Sequence, residues 1–153
     1  MFRNLMSRLF DQDEKSAPLQ EQDAEVAIAA LLVRVARADD RYTAQEAARI
    51  DHILARRRGL DDNEAAERRA AAEMIEGEAP DTVRFTRQIK DRIALDDRTG
   101  VLAALWEVTY IDGKRSPDEE SLVRLVAGLL GISDRDSALI RQRVLADLGV
   151  SES

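Results

Sequence analysis

Apolar residues along this chain recur at intervals of three and four and rarely alternate, the periodicity of helices rather than strands. Phe2, Leu5, Met6, Leu9 and Phe10 fall at i, i+3, i+4, i+7 and i+8, one face of a short helix, with Arg3 and Arg8 off that face. From Ala24 the density rises. Residues 26–36 are apolar on nearly every side, interrupted only by Arg34, and predict a helix from the middle of a bundle. Thr43 with Glu46 three residues later is a capping box opening a second helix, with Ile50, Ile53 and Leu54 turned inward. Arg56, Arg57, Arg58 and then Gly59 supply a basic last turn and a stop. Asp61 or Asp62 caps an alanine-rich third helix with Met74 and Ile75 near its end. Pro80-Asp81 starts a fourth, carrying Val83, Ile89 and Ile93. Val101, Leu102, Leu105, Trp106, Val108 and Ile111 define a fifth. Ser116-Pro117-Asp118-Glu119 is a further capping box, with proline at the first helical position, opening a sixth. Ser133 or Asp134 begins a seventh, with Leu139, Ile140, Val144, Leu145 and Leu148, ended by Gly149.

Two stretches of this pattern are alike. Asp39, Arg41, Thr43 and Glu46 align without a gap on Asp112, Lys114, Ser116 and Glu119. Beyond them Ile50 matches Val123 and Ile53 matches Val126, and Gly59-Leu60-Asp61-Asp62 matches Gly131-Ile132-Ser133-Asp134 after one extra residue. Each copy is apolar helix, acidic turn, capped helix, Gly-apolar turn, third helix. Two copies are too few for a solenoid and predict a bundle with an internal pseudo-two-fold.

Composition agrees. The 153 residues suffice for one domain, six of them are aromatic, and alanine, leucine and arginine abound, so the fold class expected is all-α. About seven helices form a compact bundle, preceded by the amphipathic helical arm. Between arm and body, residues 11–25 hold six acids against Lys15 alone, with Pro18, the composition of a solvated linker. The expected organisation is therefore arm and acidic linker over residues 1–23, helical domain over 24–149, and a tail over 150–153. A net charge of −7 argues against a nucleic-acid partner. No stretch approaches the ~20 apolar residues of a membrane span, and the start has no signal-peptide core. The expected setting is the cytoplasm, with the arm either folded back on the domain or docked on a protein partner or the inner face of the membrane.

The chain has no cysteine and one histidine, His52, which excludes thiolate chemistry and histidine-rich zinc sites. No phosphate loop, nucleophile elbow or HExxH motif is present, and no enzyme activity is expected. The chemistry that remains is the duplicated Asp-x6-Glu: Asp39 with Glu46, and Asp112 with Glu119. A capping box already accounts for each glutamate. The aspartates sit at helix C-termini, where the dipole disfavours carboxylates. Carboxylates converging at such corners form an oxygen-only site suited to Ca²⁺, Mg²⁺ or Mn²⁺, although the spacing is not that of an EF-hand loop; four carboxylates meet if the repeats face each other, and each corner is a weak half-site if they do not.

An apolar helix ending in Ala38-Asp39 or Ile111-Asp112-Gly113, then Ser/Thr-x-x-Glu, then a helix ending at Gly59-Leu60 or Gly131-Ile132, resembles the TerB-like family. That family includes bacterial tellurite-resistance TerB proteins and the related domain of DjlA-type co-chaperones. The resemblance covers residues 24–148 and implies an all-α bundle with an internal duplication. It also implies a non-catalytic stress-response role, an acidic cluster for divalent cations, and a membrane-associated complex. Carried over residue by residue, that cluster is Asp39, Glu46, Asp112 and Glu119. Asp40 stands where the motif has the glycine kept as Gly113, a departure that either adds a ligand or spoils the first turn. The alternative expectation is a metal-independent interaction scaffold, recruited by its N-terminal arm.

Overall fold

A computed structural model describes residues 21–79, 81–113 and 116–150. The amphipathic arm lies outside the described residues. Among them are seven α-helices and no strand: α1 (Glu21–Ala36), α2 (Ala44–Arg58), α3 (Asp62–Glu78), α4 (Thr82–Lys90), α5 (Arg98–Tyr110), α6 (Pro117–Leu129) and α7 (Asp134–Leu148). A 3₁₀ turn, Leu95–Asp97, leads into α5 and had no counterpart in the periodicity.

Helix α1 is enclosed on all sides, with Ala29 through Val33 fully buried. Each large apolar side chain so enclosed contributes roughly 1.5–3 kcal/mol. It packs against α2 and α3, and on its other side against α4, α5 and α6. Helix α5 plays the same part in the second half, packing on α6 and α7 as well as on α1. Trp106 and Tyr110 of α5 are buried and stacked with ring centroids 5.7 Å apart, so the tryptophan is core, as the apolar pattern implied.

The duplication is visible in the backbone. Leu60 N–H donates to Ala55 O at 3.1 Å, and Ile132 N–H donates to Ala127 O at 2.9 Å. The glycines before them, Gly59 and Gly131, have φ of +64° and +81°, which glycine adopts without a Cβ penalty. Asp61 and Ser133, rather than their acidic neighbours, are the caps that start α3 and α7.

One expectation needs correction. The end of the acidic stretch, from Glu21 to Glu25, is helix rather than linker. Glu25 is 3% exposed, and Arg57 and Arg58 hold its carboxylate at 3.1 and 2.7 Å. Buried charge is tolerated when paired this way, and local composition cannot reveal a partner more than thirty residues distant. Met74 and Leu139, apolar residues of α3 and α7, are 73% and 51% exposed. Alanines of α3, Ala71 and Ala72, are buried in place of Met74.

Candidate functional site

The two acidic turns meet. Helix α1 ends at Ala36 and α5 at Tyr110, and the following turns close alike: Asp40 N–H donates to Arg37 O, and Gly113 N–H to Tyr110 O, both at 3.0 Å. Asp40 has φ +61° where Gly113 has +73°. An aspartate in the left-handed region keeps the turn at a cost that glycine avoids. Asp40 is exposed, so this departure from the motif neither spoils the turn nor carries the side chain inward.

The first corner is closed on itself. Thr43 Oγ1 accepts from Glu46 N–H at 3.0 Å, while Glu46 Oε1 accepts from Thr43 N–H at 3.0 Å and from its hydroxyl at 3.1 Å. Asp39 Oδ1 accepts from Arg41 N–H at 3.0 Å, the side chain mimicking a turn. The second corner is half-closed. Ser116 Oγ accepts from Glu119 N–H at 3.3 Å, but the Glu119 carboxylate does not return to Ser116 as a capping box requires. That part of the sequence expectation is corrected: burial toward the other corner outweighs the return bond.

Ser116 instead donates its hydroxyl proton across the interface to Asp39 Oδ2 at 3.1 Å. Gln45 Nε2 reaches Ile111 O at 3.2 Å beside it. Glu119 is 4% exposed and Glu46 3% exposed, and Glu119 Oε1 is buried without a donor. Its neighbours are the carboxyls of Glu46 and Asp39. Burial first, then the charge and hydrogen bond of Glu46, then Asp39, push the Glu119 carboxyl up to about 9. Burial also raises Glu46, against hydrogen bonds from Thr43 and Glu119 that lower it. The pair therefore shares a proton at neutral pH.

Of the four carboxylates singled out in the sequence, Asp39, Glu46 and Glu119 are brought together, whereas Asp112 stands exposed at the surface. Sequence reasoning missed Ser116 as a bridging donor and Gln45 as a second bridge. The available signal was the repeat itself, since equivalent turns related by a pseudo-two-fold can face each other. His52 is exposed on α2, with no second histidine or any cysteine in the chain to share a metal.

A buried carboxylate oxygen facing two other carboxylates calls for a proton or a cation. The donors are all oxygen, which fits a hard divalent ion. As the side chains stand, no three His, Cys, Asp or Glu among the described residues are gathered into a ready ligand set. Asp39, Glu46 and Glu119 would have to draw in around an ion in place of the shared proton.

A family model described as "Tellurite resistance protein TerB" matches residues 25–142, which takes in both corners. No curated protein and no solved structure matches the chain.

Proposed function

The chain belongs to the TerB family, and from that premise we propose that it is a non-catalytic, cytoplasmic stress-response module whose composite corner takes a divalent cation. Asp39, Glu46 and Glu119 would be the carboxylate ligands, with Ser116 holding Asp39 in place. The observation that carries this reading is the buried Glu119 Oε1, without a donor and beside two carboxyl groups. A bound ion would supply charge neutralisation and cross-link the halves of the duplication. Ca²⁺, Mg²⁺ and Mn²⁺ are the fitting ions, because the site offers neither thiolate nor imidazole.

The test is a thermal or urea melt of the full chain in chelator and then in each ion. An ion at a hundred times its dissociation constant should add about 2.7 kcal/mol of stability. A melt unchanged by millimolar Ca²⁺, Mg²⁺ and Mn²⁺ refutes the reading.

A second reading has its own support: the corner already joins the halves through Ser116–Asp39 and Gln45–Ile111 hydrogen bonds. On this view the carboxyls form a proton-sharing clasp in a metal-independent scaffold. The clasp predicts the same stability with and without divalent ions. No helix among the described residues is long and apolar enough to cross a membrane. Recruitment by the N-terminal arm, through Phe2, Leu5, Met6, Leu9 and Phe10, belongs to this second reading.

A further inference from the structure

Away from the corners, α2, α5 and α7 leave between them a groove of about 520 Å³. Helix α2 presents Arg49 and Arg56 to it, one face two turns long. Its floor is α5, where Gly100 and Ala103 lie one turn apart and project almost no side chain. Ile140 and Val144 of α7 form an apolar wall, and Arg143 on the same helix stands at the rim.

We propose that this groove docks an acidic amphipathic helix of a partner protein, two to three turns long. Charge is the first argument. On a chain of net charge −7, three arginines and His52 gather here. Against them stand Asp147 and Glu107, and Glu107 is already held by Arg49 at 3.0 Å and Arg56 at 2.9 Å. The Arg56 side chain is 54% exposed and keeps N–H groups for another acceptor. Arg143 is exposed and makes no ion pair among the described residues. Shape is the second argument. From Ile140 to Leu148 the wall runs about 12 Å at 1.5 Å per residue, the length of two helical turns. The small residues of α5 let an incoming helix approach closely, its apolar face on Val144 and Ile140 and its acidic flanks toward Arg56 and Arg143. This is helix-in-groove recognition, with rim charges setting orientation and partner choice.

The probe is a synthetic 14-residue helical peptide with leucine and alanine at i, i+3, i+4 and i+7 and glutamate elsewhere. It is titrated into the full chain and followed by methyl NMR of Ala103, Ile140 and Val144. The expected result is a saturable shift of those methyls. Binding should weaken by about tenfold or more in the Arg56→Glu/Arg143→Glu variant, and similarly for a peptide with lysine replacing glutamate. Both arginines are at the surface, so the variant should keep its fold; Ala103→Leu, which fills the floor, should abolish the shifts independently. Absence of shifts at millimolar peptide overturns the proposal, as does equal binding of the two peptides or undiminished binding by the charge-reversed variant.

Discussion

The corner built on Asp39 and the corner built on Asp112 share a backbone turn, a hydroxyl cap and a glutamate, yet their side chains do different work. In the first, Glu46 returns to Thr43 and the capping box closes. In the second, Ser116 still caps its own helix but gives its hydroxyl proton to Asp39, and the Glu119 carboxylate turns to the first corner, while Asp112 is left at the surface. Duplication thus supplied two equivalent turns, and packing them face to face made one composite site. A repeated motif does not imply a repeated site when the interface between copies has room for only one.

That comparison can be broken most strongly by pH. With chelator present, the folded chain holds a proton on the Glu46–Glu119 pair that the unfolded chain, with glutamates near 4.5, has lost. This contribution is fully present below 4.5 and is lost as pH rises toward about 9. The loss should reach at most about 1.4 kcal/mol per pH unit for one proton. Glu119→Gln keeps a donor and cannot ionise. Urea melts from pH 5 to 9 should therefore show wild type losing stability relative to this variant as pH rises. A constant difference would mean that the pair does not share a proton.

A smaller effect separates the two aspartates. If the cation reading holds, Asp39→Asn should remove most of the roughly 2–3 kcal/mol gained in a saturating divalent ion. Asp112→Asn should leave that gain intact. Equal losses in melts with and without the ion would restore the symmetry that the structure breaks.

The smallest effect probes the turn itself. Asp40→Gly should stabilise the chain by about 0.5–1 kcal/mol, and Gly113→Ala should destabilise it by about 1 kcal/mol or more, because both positions have positive φ. Opposite signs at equivalent positions, read from urea midpoints, would show one turn geometry bearing two different residues.

The seven helices were legible because their signals are local: Thr43, Asp61, Ser116 and Ser133 mark starts, and Gly59 and Gly149 mark ends. The duplication was legible for the same reason. The meeting of Glu119 with Glu46 was not, since it depends on how α2 and α6 are rotated about their axes when α1 and α5 pack. Glu25 was misread as linker because Arg57 and Arg58, which neutralise it, belong to a different helix. The surface position of Asp112 was equally hidden: its matched spacing says nothing about which turn lends its side chains to the other.

The all-round burial of α1 also governs how the chain comes apart. Its apolar surface is covered by α2 and α3 on one side and by α4, α5 and α6 on the other. Neither half could be cut free without baring much of that surface to water, so the two repeats are not separable modules. A chain nicked between α3 and α4 should stay together as a noncovalent pair of fragments and melt in one transition. A single transition would show that a doubled unit folds as one.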